Sequence, residues 1–401
     1  MPEQPDAAEN TRRSANVRPA AEISLVRGGP FYRLQEAAGL VKDGQWNVGR
    51  RVLFGLAIGW FPLVLITLLF KTQTLTGLLT DYPINARMLV GVPVLLVGQT
   101  VMESAFRTMI GQIRAAALVT PSEAAHFDHI LVSLIRLRDS IIPEIVIIVA
   151  ACLHAVEVVE THMSLARPWA LAGTSFAPHV SIAGWYYIGV SLLLYQFLLF
   201  ISLWKWLLWW IFLFRLSRLD LELVPTHPDQ HGGIGFLGMS PLAIAPTAFV
   251  ACTAIGGTWR AEIYRTGVHL MSFKLDALVL LAIILIVALG PLVFFVPKLG
   301  QLRRRGVLEY GVLAQFESVQ FHSKWILNRN GHEEEFMASP EASTLTDYGS
   351  TYQNIEHLQP FPFDQGAFVA LLLAIAVPIL PVILTEIPFA DVVKGLLSAV
   401  R

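Results

Sequence analysis

Of 401 residues, 54% are hydrophobic and 15% charged, with a mean hydropathy of +0.57. Soluble domains carry roughly 25% charged residues, so a water-soluble globular fold is excluded and membrane lipid is the expected surrounding. A formal net charge of −1 provides no global field for nucleic acid, which is not expected as a partner.

Residues 1–30 mix Pro, Ala, Glu and Arg and lack the apolar run of about 7 to 15 residues that a secretory signal needs. They are expected to form a disordered cytoplasmic tail. A helix needs about 20 apolar residues to cross the hydrocarbon layer. Six such stretches follow within 31–297, near 52–70, 88–109, 141–159, 186–214, 242–259 and 277–296, and another covers 366–385. The expected fold is therefore all-α, a polytopic transmembrane bundle of about seven spans. Residues 386–401 are left as an external tail.

Two cytoplasmic elements are expected between spans. Thr120-Pro121-Ser122-Glu123 has the pattern of a capping box with proline at the first helical position, predicting a helix over 121–140 that kinks near Pro143 as it enters the third span. Within 298–365, Val312, Phe316, Val319 and Ile326 recur near helical spacing. They predict an amphipathic helix lying on the membrane or against a partner, followed by a polar loop over 331–360.

Lys and Arg set the orientation, because cytoplasmic segments hold the positive excess. Alternate segments starting from the N-terminus carry 8, 4, 2 and 6 basic residues, and the intervening ones 2, 1, 3 and 2. That 20 to 8 division puts the N-terminus in the cytoplasm of a bacterial-type inner membrane and the C-terminus outside.

Ionisable groups inside lipid point to a function or to a buried partner. Glu103, Glu144, His154, Glu157, Glu160 and Lys205 are the candidates for a polar path. Each also has a structural reading. Glu103 stands four residues before Arg107, as an intrahelical pair would. Glu144 enters its span close to the headgroups, and Lys205 among Trp204, Trp206, Trp209 and Trp210 has the setting of a snorkelling lysine. His154, Glu157 and Glu160, spaced by three, form either a proton or cation relay or a hydrated helix end.

Alternate side chains of an extended segment point the same way, so His227, Asp229 and His231 could hold a divalent metal such as zinc, with Pro228 and the glycines offering a rigid turn instead. His227-Pro228-Asp229 resembles the J-domain loop in three residues only, and the tryptophan-rich span upstream excludes that fold. Glu123, His126 and His129 share one helix face, expected to be solvated. Cys152 and Cys252 lie in apolar stretches and are expected to be unbridged.

The leading expectation is an ion channel or small-solute transporter with an acidic, histidine-lined path, possessing no recognisable enzyme motif. The alternatives are a scaffold or sensor with a cytoplasmic protein partner, and a metalloenzyme built on His227, Asp229 and His231. A homo-oligomer is expected in the membrane.

Overall fold

The computed structural model describes residues 24–42, 46–69, 75–162, 169–174, 177–327 and 340–386. Helix α1 (Pro30–Ala37) lies against the bundle, and α2 (Val48–Leu69), α3 (Tyr82–Ala115), α4 (Ala124–Asp139) and α5 (Ile141–His162) follow. An antiparallel pair, β1 (Leu171–Thr174) and β2 (Ala177–Val180), leads into α6 (Ile182–Leu216). Helices α7 (Gly235–Thr266), α8 (Leu270–Leu327), α9 (Pro340–Glu356) and α10 (Gln365–Ile383) follow.

Six of these helices are long and apolar enough to cross a membrane, and α4 with α5 forms a seventh as a pair bent by 44°. The chain is an all-α membrane-spanning bundle. Its outer surface fits that solvent: Ile142, Val146, Val149 and Leu153 on α5 and Leu278 and Ile286 on α8 are exposed. Such apolar area is unfavourable in water but matches hydrocarbon, and helical backbone leaves no polar group unsatisfied there.

Helix α3 is central. It runs parallel to α6, with Arg87 Nη1 donating to Tyr187 Oη at 3.1 Å at one end and Phe106 stacked on Trp209 at 4.4 Å towards the other. Both helices contain a π-helical turn, Ala86–Gly91 and Tyr187–Leu192, facing each other near that first end. Small residues permit the close packing. A Cβ on Gly98 would stand 2.8 Å from Pro246 of α7, so α3 and α7 are nearly in backbone contact, as small residues allow between membrane helices. Arg107, Arg114, Arg136, Arg138, Arg215 and Arg218 gather at the other end of the bundle, called the basic end below.

Three expectations need correction. Residues 24–30 are not a disordered tail: Leu25 and Val26 are fully buried against the bundle, and residues 1–23 lie outside the described residues. The amphipathic stretch after Leu308 is no separate surface helix. It continues the sixth span as part of the 58-residue α8, through a 3-10 segment at Gly290–Phe295. Residues 340–356 of the expected polar loop form α9, antiparallel to α8. Arg303 Nη2 donates to Glu356 O at 2.7 Å, and Tyr348 Oη to Tyr310 O at 2.5 Å.

The bend in the third span falls at Ser140, three residues before Pro143. Thr120 and Pro121 precede a turn rather than opening the helix, and α4 starts at Ala124.

Candidate functional site

Four ionisable side chains are buried in the basic half of the bundle: Arg51 at 1% exposure, Glu103 at 3%, Lys205 at 4% and Glu144 at 8%. Ser24, Gln35 and Gln99 are buried with them. Charges taken out of water are tolerated only when compensated, so their partners define the site.

Arg51 comes from the first turn of α2 and points inward. Its Nε donates to Gln35 Oε1 at 2.6 Å, Nη2 to Gln99 Oε1 at 2.7 Å and Nη1 to Leu96 O at 3.3 Å. The guanidinium lies over the Trp46 ring, 4.4 Å from its centroid. Glu103 accepts from Ser24 Oγ at 2.5 Å and from Arg107 Nη2 at 2.8 Å, with Arg27 Nε 3.5 Å away. The expected pair with Arg107 is present, but the carboxylate also anchors residues 24–27.

Glu144 accepts the Phe31 N–H at 2.9 and 3.1 Å. It thereby serves the N-terminus of α1, an end with no side-chain cap of its own. Arg138 Nη1 donates to Ser24 O at 2.5 Å, and Gly29 N–H to Asp139 Oδ1 at 2.9 Å. Residues 24–37 are thus seated on α2, α3, α4 and α5 as a lid over the buried charges. Two glycines make this seat possible. Gly28 has φ +143° and Gly29 φ +87°, and a Cβ on Gly28 would overlap the Arg138 guanidinium.

Lys205 differs from its neighbours. It lies within electrostatic range of Arg51, Glu103, Glu144 and Arg138, yet among the described residues its Nζ has neither a hydrogen-bond nor an ion-pair partner. A snorkelling lysine would reach the surface, and this one stays inside. Further polar groups without partners line the same α3–α6 contact: Gln99 Nε2, Tyr195 Oη and Gln196 Oε1.

The structure therefore brings Glu103, Glu144 and Lys205 together, although they are 41 and 61 residues apart in order. It separates them from His154 and Glu157. That pair shares a face of α5, with His154 Nδ1 3.9 Å from Glu157 Oε2, but the two side chains are 51% and 73% exposed on the outer surface of the bundle. They do not line an interior path; the Glu160 side chain lies outside the described residues. Arg51, Gln35 and Gln99 were missed. Gln99, an amide inside an apolar span, carried a readable signal, whereas Arg51 looked like an ordinary basic residue flanking a span.

His227, Asp229 and His231 do not converge on a metal. Asp229 accepts from the backbone N–H groups of His231 at 2.9 Å, Gly233 at 3.1 Å and Gly235 at 2.9 Å. Its carboxylate is also 2.7 Å from His227 Nδ1. Both ring nitrogens of His231 are engaged, Nδ1 at 2.5 Å from Asp229 O and Nε2 at 3.0 Å from Phe361 O. With its donors committed to backbone, the motif is a rigid turn that clamps the segment entering α10. Burial pushes the Asp229 carboxyl up, but the three N–H donors and His227 outweigh it and hold it below the usual carboxylate range. Among the described residues, no group of three or more His, Cys, Asp or Glu could hold a metal ion. Glu123 and His126 form an exposed pair at 3.1 Å on α4, with His129 exposed nearby, and Cys152 and Cys252 are free.

Two crevices of about 420 and 450 Å³ open on the outer surface between α3 and α7. Their linings, which include Val94, Val97, Phe249, Met109 and Phe236, are largely apolar and suit lipid chains rather than a polar solute. The charged cluster under residues 24–37 is accordingly the candidate site. Comparison of the chain with protein-family models, curated proteins and solved structures finds no match to any of them.

Proposed function

We propose that the chain is an ion channel or small-solute transporter of a bacterial-type inner membrane, with its N-terminus in the cytoplasm. Its path passes Lys205, and residues 24–37 close the cytoplasmic end. The observation that carries this reading is a lysine 4% exposed inside a span, without a partner among the described residues. A purely structural lysine there would be destabilising by about 2.5 kcal/mol or more, and a hydrophobic residue would pack as well. Arg87, Tyr195, Gln196 and Gln99 give a solute polar contacts along α3 and α6 between the far end and Lys205. The geometry gives the relay at His154 and Glu157 no comparable support.

Purified protein in liposomes tests it. A flux of small ions that falls about tenfold or more in Lys205→Met, given the size of a buried charged contact, is expected. Equal flux in wild type, Lys205→Met and protein-free liposomes would sink the reading.

A second reading, a scaffold or homo-oligomer, has its own observation. On α8 beyond Arg303, Arg304 and Arg305, Val312 (74% exposed), Phe316, Val319 and Ile326 stand uncovered, at the alternating spacing of a coiled-coil seam. A mass by light scattering that drops to the monomer in Val312→Ser/Phe316→Ser would support it.

A further inference from the structure

The unsatisfied groups around Lys205 are unequal in kind. Gln99 Nε2, Trp46 Nε1 and Trp209 Nε1 are buried donors without an acceptor among the described residues, and Lys205, a buried residue, adds an ammonium with no hydrogen bond or ion pair among them. Trp209 stands one turn from Lys205 on the same face of α6, and its ring stacks on Phe106, one turn from Glu103 on α3. Trp46 lies under Arg51, whose Nη2 reaches Gln99. The donors thus surround one region between α2, α3 and α6. Charge agrees with donor count. Arg27, Arg33, Arg51, Arg107, Arg138 and Lys205 face Glu103, Glu144 and Asp139, which leaves three positive charges in excess.

The charged acceptors of the cluster are already engaged, and the unpaired carbonyl of the α3–α6 contact, Gln196 Oε1, lies further along α6. The Glu103 carboxylate takes Ser24 and Arg107, Glu144 takes Phe31, and Gln99 Oε1 takes Arg51. A buried donor without an acceptor costs its desolvation penalty, and four in one place call for acceptor atoms from outside. A cation would add to the excess charge.

We propose that this cluster of donors binds a small oxyanion, held by Lys205 Nζ, Trp209 Nε1 and Gln99 Nε2. This rests on the reading of the cluster as the transport site and names the class of its solute. Phosphate oxygens could come from free phosphate or from an anionic lipid headgroup entering past residues 24–37; the chemistry is shared.

The test measures equilibrium binding of radiolabelled inorganic phosphate to the full chain in lipid-free detergent, with a parallel arm that adds phosphatidylglycerol as competitor and measures its own retention. The expected result is saturable binding of one of the two probes, weakened about tenfold or more in Lys205→Met and partly restored in Lys205→Arg. If Lys205→Met does not fold, Trp209→Phe serves, since it removes one N–H and keeps the ring stack. Weaker binding there supports the site. Phosphate binding without lipid identifies free anion as the source, and retention of phosphatidylglycerol alone identifies the headgroup. No saturable binding of either probe, or undiminished binding in both variants, overturns the proposal. Binding is read apart from flux, so Lys205-dependent binding without flux removes transport and keeps the site, whereas flux without such binding does the reverse.

Discussion

Removing one member of a buried charge cluster leaves its partner ionised in a dry environment, which is the larger part of the penalty. Glu103→Gln keeps an acceptor for Ser24 but removes the compensation for Arg107 and Arg27. Because Arg107 and Arg27 remain partly hydrated, we expect it to lower stability by about 1–2 kcal/mol, measured by unfolding in detergent. Glu144→Gln should raise any flux, because it weakens the hold on the Phe31 N–H and so loosens the segment that closes the path, whereas Glu157→Gln on the outer surface should leave flux unchanged. The opposite ranking would remove the lid from the mechanism. Asp229 offers a prediction in pH. Its folded-state carboxyl lies below the ordinary range, so its contribution is present above the unfolded value of about 4 and is lost as pH falls through the lower folded value. Asp229→Asn should therefore cost about 2 kcal/mol at neutral pH, a deficit that shrinks in acid. A deficit constant with pH would show that the carboxylate charge contributes nothing. In the sequence, Glu103, Glu144 and Lys205 were visible as ionisable groups in apolar stretches. Their convergence was not, because it depends on how α3, α5 and α6 pack.

Among the elements, residues 24–37 are the most testable. Gly29 at φ +87° has Glu144 Oε1 3.0 Å from where a Cβ would be, so Gly29→Ala combines backbone strain of about 1–3 kcal/mol with a clash at the anchor. The expected outcome is faster tryptic cleavage after Arg27 or Arg33 with the bundle intact; wild-type cleavage rates would mean that the seat tolerates the change. The spans themselves were legible, since length and hydropathy are properties of each segment alone. Helix α9 was not. Its Ser, Thr, Gly and Asn have weak helix propensity, and its stability comes from α8, where Gly306 and Gly311 receive Ile355 and Tyr352. The long α8 was half-legible: its stripe at Val312 and Phe316 was visible, but nothing local marked the absence of a break after the sixth span.

For the whole molecule, the proposed orientation rests on the 20 to 8 division of basic residues, and labelling in intact cells tests it. In a Cys152→Ser background, a cysteine at Tyr264, which is exposed at the far end, should react with an impermeant thiol reagent, and one at Ser343 on α9 should not. The reverse pattern would invert the molecule. The bend between α4 and α5 has a consequence of its own. Asp139, which receives the Gly29 N–H, and Glu144, which receives the Phe31 N–H, stand on opposite sides of Ser140. Two neighbouring points of the N-terminal strap are therefore pinned across one joint, as a brace is fixed across a hinge. Straightening the joint separates the pins, so at least one must let go, and releasing the strap frees the joint. The angle of the third span and the seating of the N-terminus then behave as a single coordinate, and a force on residues preceding Ser24 is felt inside the membrane without any signal crossing the bundle.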